Sequence, residues 1–357
     1  MALHFHKLKV KDISHETNDC VSIAFDIPNA LEKEFFFKQG QNITIKLIMD
    51  GEEIRRSYSI CNSPFDNELR VAIKKVINGA FSTFANEKMK MGDVLEVLPP
   101  TGTFFTEVNI SNKKNYVFFA AGSGITPVIS IIKTILFIEP ESTVALVYGN
   151  KNVSSIIFKE QLEALKDKHL QRFSVYHILS RERTEADINY GRIDAEKCKQ
   201  FSKLIDFISI DEFFICGPEK MIFTIKEFLE INGVNKNKIH FELFTTPARK
   251  NTKIYSSLKT PVDDGSEITV KLDGRSFNFK LDYNSNNILD AALAQGADLP
   301  FACKGGVCCT CKARLMEGEI EMEVNYGLEP DEVKAGYILT CQSHPRSKKV
   351  VVDFDNK

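Results

Sequence analysis

Cys303, Cys308 and Cys311 stand in the order C-x4-C-x2-C, and Cys341 follows after 29 further residues. Four thiolates at this plant-type spacing hold a [2Fe–2S] cluster, three from one tight loop and the fourth from a distant strand. Structural zinc sites also use four cysteines, but through paired short C-x2-C hooks, and here one extended loop meets a lone partner. Gly305 and Gly306 allow the loop backbone to close on the cluster, because glycine carries no Cβ and reaches φ > 0 freely. Cys309 is surplus. Ligation through it would give C-x5-C and a cramped C-x-C, so it reads as a small loop residue.

Arg56-Ser57-Tyr58-Ser59 forms a second chemical set. A guanidinium grips a phosphate through two parallel hydrogen bonds. Two residues on, the same strand face presents the Tyr58 ring for a flat heteroaromatic, while Ser59 points the other way. Together these suit a flavin, with Ser59 reaching its N5 region. Gly79, Phe81, Ser82 and Thr83 run into an amphipathic stretch over 84–91. A helix N-terminus with hydroxyl donors is a site for a pyrophosphate. These residues alone leave FAD and FMN both open.

A third set suits a dinucleotide. Residues 116–121 read as a buried parallel strand. They lead into Gly122-Ser123-Gly124-Ile125-Thr126-Pro127 and an apolar helix over 128–137. Gly122 and Gly124 permit close approach of a diphosphate over the helix dipole. Pro127 stands where a third glycine is usual, and proline suits a first helical turn. Ser180 and Arg181, with Arg183 a further candidate, end a later strand and can hold a 2′-phosphate, which favours NADPH and leaves NADH open. Cys216-Gly217-Pro218 opens another helix, and Glu242-Leu243-Phe244 closes the region.

The elements that position these sets change character along the chain. Short alternating runs separated by turn signals fill 1–108 and predict a small antiparallel β-barrel for the flavin. Strand–helix alternation over 109–244 predicts an α/β domain with a parallel sheet for NAD(P)H. Residues 245–265 lack periodicity and read as a linker. Residues 266–357 predict an α+β, β-grasp ferredoxin domain: a hairpin around Asp273-Gly274, a helix over 288–294, the cysteine loop, and a last strand over 348–354 that closes the sheet. The fold class is therefore multidomain.

Composition excludes several alternatives. The formal net charge of −2 across 357 residues gives no nucleic-acid footprint. From Ser266 onward there are 11 Lys+Arg against 14 Asp+Glu, a mildly acidic surface suited to a basic patch on a partner. Nine cysteines without disulfide-like spacing fit a reducing compartment. No signal peptide and no membrane-spanning run is visible, so a cytoplasmic location is expected.

Arg56-Ser57-Tyr58-Ser59 resembles the R-x-Y-S signature of the ferredoxin–NADP reductase superfamily. The turn Pro100-Thr101-Gly102-Thr103-Phe104, the loop Gly122 to Pro127, the C-G-P of Cys216 to Pro218 and the E-x-F of Glu242 to Phe244 are similar to further signatures of that superfamily. The resemblance implies FAD, Cys216 beside the nicotinamide C4, Phe244 on the flavin face, and Ser59, Cys216 and Glu242 as catalytic residues. The order of modules, together with 55–61, 120–127, 215–218 and 303–308, is similar to reductase components of ring-1,2-phenylacetyl-CoA epoxidases. Related reductases serve steroid hydroxylases and other oxygenases. The implied path is NADPH to FAD to [2Fe–2S] to a di-iron oxygenase partner. A flavin must stand between the end carriers because it takes a hydride pair and releases single electrons. The seven histidines show no paired-ligand pattern, so chemistry on the organic substrate falls to the partner. A reductase for another hydroxylase or a fatty-acyl desaturase is the neighbouring reading. A redox sensor without turnover is the reading from a different class.

Overall fold

A computed structural model describes residues 4–49, 51–244, 265–283 and 285–356. The linker expected over 245–265, apart from Gly265, lies outside the described residues. The first module contains strands β1 (His6–Thr17), β2 (Cys20–Asp26), β3 (Asn42–Met49), β4 (Glu52–Ser59), β5 (Leu69–Lys74) and β6 (Val94–Thr101), with helix α1 (Ala80–Glu87). They form one antiparallel sheet in the order β4-β3-β6-β1-β2-β5. An antiparallel bridge between Ile60 and Val71 brings its two edges together, which closes the predicted barrel. Leu8, Ile23, Ile43, Ile45, Val71 and Val97 fill it, as the period-2 alternation requires. Helix α1 begins four residues earlier than the amphipathic pattern indicates. Gly79 is its N-cap, so Phe81, Ser82 and Thr83 form its first turn.

The second module runs β7 (Asn115–Ala121), α2 (Ile125–Ile138), β8 (Thr143–Asn150), α3 (Lys159–Lys168), β9 (Phe173–Leu179), α4 (Ala195–Phe201), β10 (Glu212–Cys216), α5 (Glu219–Ile231) and β11 (Ile239–Glu242). Its parallel sheet is ordered β11-β10-β7-β8-β9. Strand β7 is apolar on both faces because both are covered: Tyr116, Phe118 and Ala120 pack with α2, while Val117 and Phe119 pack with α5. Helix α2 also fixes this module on the barrel. Ser130 Oγ donates to Asn62 O at 2.5 Å, and Thr134 Oγ1 lies 3.1 Å from Ser63 Oγ. Among the described residues no helix is long and apolar enough to cross a membrane.

The third module contains β12 (Ser266–Leu272), β13 (Arg275–Leu281), α6 (Ile288–Ala294), β14 (Lys312–Glu317), β15 (Ile320–Met322), α7 (Pro330–Lys334), β16 (Tyr337–Leu339), β17 (Ser343–Pro345) and β18 (Lys349–Asp353). Asp273 and Gly274, at φ 53° and 69°, make the tight turn of the β12–β13 hairpin. The five-stranded sheet is ordered β13-β12-β18-β14-β16, so β18 is central and does not close an edge. Its consecutive buried valines, Val350, Val351 and Val352, are the mark of a strand covered on both faces. Strand β15 joins β17 in a separate two-stranded sheet. Cys341 lies in the turn after β16, not on a strand.

Candidate functional site

The cysteine loop is wound between α6 and β14. Its left-handed positions are Lys304 and Gly306, at φ 50° and 72°. Gly305 does not share that conformation, a correction to the expectation for both glycines. A Cβ on Gly306 would meet Val324 Cγ2 at 2.9 Å and Val324 O at 3.0 Å, and with the positive φ this strains any other residue there. The four predicted ligands gather as two pairs. Cys303 and Cys308 are hydrogen-bonded to each other, as are Cys311 and Cys341. Among the described residues, no three His, Cys, Asp or Glu side chains converge to hold one ion. Two pairs fit two irons with two thiolates each, the donor set of a [2Fe–2S] cluster, better than a single zinc.

Backbone donors surround the sulfurs. Gly305 N and Cys308 N donate to Cys303 Sγ at 3.3 and 3.4 Å, and Gln342 Nε2 lies 3.6 Å from Cys341 Sγ. The Cys308 thiol and the backbone N–H groups of Cys308, Gly305 and Val307 hold Cys303 down to about 5, toward the thiolate that ligation needs. Cys309 Sγ instead donates to Gly327 O at 2.7 Å, and burial pushes its thiol up to about 12.

Ser59, Cys216 and Glu242 converge from three strands. Cys216 and Glu242 are register partners on β10 and β11. Ser59, at the end of β4, donates to Glu242 Oε2 at 3.2 Å. The Asn42 amide is a second donor to the same carboxyl, while Asn42 Oδ1 is buried without a partner among the described residues. Glu242 opens on a narrow cleft but is ringed by protein. Burial pushes its carboxyl up to about 8, against the opposing pull of Ser59 and Asn42. Burial also raises the Cys216 thiol. The cleft is lined by Asn42, Glu242, Phe104 and Tyr326, and by Cys308 and Cys309 of the cysteine loop. All three modules therefore meet at one place. Sequence reasoning missed Asn42. Its only signal was its place in a turn-to-strand stretch, since its opposition to Ser59 depends on β3–β4 register.

The other flavin candidates divide. The Arg56 side chain is exposed and donates from Nη1 to Arg55 O at 2.7 Å. The half-buried Tyr58 ring tilts against Phe81 at 5.6 Å. Phe81 itself is 1% exposed within the barrel core, so its ring backs Tyr58 and does not face a ligand, contrary to expectation. Ser82 Oγ is engaged locally, accepting from Val76 N and donating to Gly79 O. Ser57 faces Thr44 across the strands at 3.1 Å. Phe244 is 42% exposed, an aromatic surface following Glu242. The exposed Arg56 as a donor, the Tyr58 ring as a surface and the orphaned Asn42 oxygen as an acceptor fit a flavin nucleotide.

At the dinucleotide loop, the glycines differ in purpose. A Cβ on Gly124 would lie 2.1 Å from Cys216 O, so close packing of α2 against β10 requires glycine. Gly122, at φ 54°, has open space before it. Thr126 is buried, with Oγ1 donating to Ser123 O at 3.0 Å, and Pro127 sits in the first turn of α2. Gly217 packs against Ala121, and Pro218 is the N-cap of α5. Ser180 and Arg181 follow β9. Their backbone N–H groups donate to Asn150 O and Lys151 O, and the Arg181 side chain is exposed. The open face of Gly122 beside a helix N-terminus fits a diphosphate.

Comparison with known proteins agrees with this arrangement. Models for the oxidoreductase FAD-binding domain, the oxidoreductase NAD-binding domain and the 2Fe-2S iron-sulfur cluster binding domain match residues 7–106, 118–227 and 270–346. The chain is 45% identical over 354 residues to a subunit of the 1,2-phenylacetyl-CoA epoxidase of Escherichia coli (strain K12), covering 99% of this chain and 98% of the relative. It is 32% identical to the ferredoxin reductase component of 3-ketosteroid-9-alpha-monooxygenase from Rhodococcus rhodochrous, covering 97% and 96%. Phthalate dioxygenase reductase shares the fold across 98% of both chains, at 22% identity and a TM-score of 0.58. The chain belongs to the ferredoxin–NADP reductase-like flavin and iron–sulfur oxidoreductases, the reductase components that pass electrons from a pyridine nucleotide through FAD and a 2Fe-2S centre to oxygenases.

Proposed function

We propose that this chain draws electrons from NADPH and delivers them to a di-iron oxygenase that acts on phenylacetyl-CoA. The 45% identity to the epoxidase subunit across essentially both whole chains supports the acceptor. The exposed Arg181 at the carboxyl end of β9 supports NADPH over NADH, because a guanidinium there suits a 2′-phosphate. The observation that carries the site is the single cleft lined by both Glu242 and Cys308.

FAD, when bound, accepts a hydride and gives up electrons singly to the cluster. The chain's own residues set the conditions. Arg56, Ser57 and Tyr58, with Gly79, Ser82 and Thr83, hold the flavin nucleotide. Gly122, Gly124, Thr126, Pro127, Ser180, Arg181, Gly217 and Pro218 hold the pyridine nucleotide. The exposed Phe244 would cover the flavin face. Cys216, whose backbone is held tight against Gly124, would back the nicotinamide when the nucleotide is bound. Glu242 accepts from Ser59 at Oε2, and its burial favours the protonated carboxyl. Cys303, Cys308, Cys311 and Cys341 ligate the cluster.

The test is substrate-dependent NADPH oxidation. Purified protein is added to oxygenase subunits that lack their own reductase. NADPH consumption coupled to phenylacetyl-CoA epoxidation is expected. Oxidation indifferent to phenylacetyl-CoA would move the acceptor to another hydroxylase or desaturase. In parallel, Arg181→Ala should raise KM for NADPH and leave that for NADH unchanged. Equal effects on both would remove the 2′-phosphate role.

A further inference from the structure

Strand β4 carries two arginines back to back. Successive side chains on a strand point to opposite faces, so Arg56 and Arg55 serve different sides. Arg55 is 6% exposed. Its guanidinium carbon lies 4.0 Å from the Phe301 ring centroid and 4.9 Å from that of Phe5. Nη1 donates to Leu299 O at 3.2 Å, Nη2 reaches Asp298 Oδ1 at 3.5 Å, and Nε donates to Glu53 Oε1 at 2.7 Å. Asp298, Leu299 and Phe301 all belong to the cluster-bearing module, just before Cys303. A buried guanidinium is stable only with its donors satisfied. Here the other module supplies two of those partners and one aromatic face.

A second contact lies on the same side of β4. Ser57 faces Thr44 at 3.1 Å, and Thr44 Oγ1 lies 3.4 Å from Thr310 Oγ1. Thr310 is fully buried between Cys309 and Cys311, and its hydroxyl hydrogen-bonds Cys308. The line from the flavin-motif strand to a cluster ligand is thus continuous.

We infer that Arg55 is a positioning residue for electron transfer within the chain. It latches the cluster-bearing module onto the face of β4 opposite Arg56, and the Ser57–Thr44–Thr310 line sets the seating of the cysteine loop. Arg55 lies on the face of β4 away from Arg56, and its hydrogen-bond partners include no ligand cysteine. It acts through Leu299 and Phe301. Lysine cannot substitute, because the contact uses a planar fork with donors to Glu53, Leu299 and Asp298 beside two rings. The inference rests on the order of carriers and not on which oxygenase receives the electrons.

The experiment uses the holoenzyme with FAD and cluster. Arg55→Ala, Arg55→Lys, Phe301→Ala and the Arg55→Ala/Phe301→Ala pair are mixed rapidly with NADPH. Flavin bleaching and cluster reduction are followed separately, and small-angle scattering gives the radius of gyration. Flavin bleaching is expected at the wild-type rate. Cluster reduction should fall about tenfold or more, the scale of losing a charge-assisted hydrogen bond and a cation–π contact. The double variant should fall no further than the worse single variant, and the radius of gyration should increase. Wild-type cluster reduction in Arg55→Ala, or losses in the two single variants that simply multiply, would overturn the inference. If Arg55→Ala fails to retain FAD, Phe301→Ala decides from the other side of the contact. Undiminished cluster reduction there also overturns it.

Discussion

The Ser59 hydroxyl donates to the Glu242 carboxyl at 3.2 Å, across 183 residues of sequence and between two modules. This one hydrogen bond ties the end of the flavin-motif strand to the strand paired with Cys216. Ser59→Ala leaves Glu242 with Asn42 as its remaining side-chain donor. Removing a partner from an enclosed carboxyl costs about 1–3 kcal/mol. We expect slower flavin bleaching by NADPH in Ser59→Ala, with cluster reduction from the reduced flavin unchanged. Stopped-flow absorbance separates the two steps. A defect confined to the second step would contradict the assignment.

Glu242 also predicts a pH dependence. Its folded-state value near 8 lies above the ordinary carboxylate value of 4.5, so folding takes up a proton. Stability therefore declines as pH rises from that ordinary value toward 8, by at most about 1.4 kcal/mol per pH unit. Glu242→Gln is neutral throughout and escapes the decline. Calorimetry across this range should show the variant gaining on wild type as pH increases. Parallel curves would mean that Glu242 ionises normally.

The pairing of the cysteines predicts unequal roles along one loop. Cys341→Ser removes a thiolate from the Cys311 pair and should abolish the iron–sulfur signal and electron delivery to protein acceptors. Ferricyanide reduction at the flavin should persist. Cys309→Ser keeps a donor toward Gly327 O, so iron content and the paramagnetic spectrum should match wild type. Loss of the cluster in Cys309→Ser would require a different ligand set.

Gly124 and Gly122 predict opposite kinds of damage. Gly124→Ala puts a methyl 2.1 Å from Cys216 O and must displace β10 or α2, which overpacking places at about 1–3 kcal/mol. KM for NADPH should rise and flavin bleaching should slow together. Gly122→Ala meets nothing within 4 Å among the described residues and is strained by its positive φ, at about 1–2 kcal/mol. Its effect should fall on nucleotide binding, with the geometry at Cys216 retained. Thermal unfolding and NADPH titration of both variants give the comparison.

The ligand chemistry was legible in the chain because it is local. The C-x4-C-x2-C spacing, the R-x-Y-S strand, the glycine loop before α2 and the Asp273-Gly274 turn all lie within a few residues. Hydrophobic period fixed the antiparallel barrel and the parallel sheet for the same reason: burial repeats with the backbone. Tertiary structure decided what depends on register and on contacts between modules. Asn42 meets Ser59 only through β3–β4 pairing, and Arg55 reaches Leu299 across 244 residues. The central place of β18 and the core role of Phe81 likewise follow from which faces are covered. An aromatic next to a phosphate motif carries the same local signal whether it faces a ligand or a core. Only the packing around it distinguishes the two.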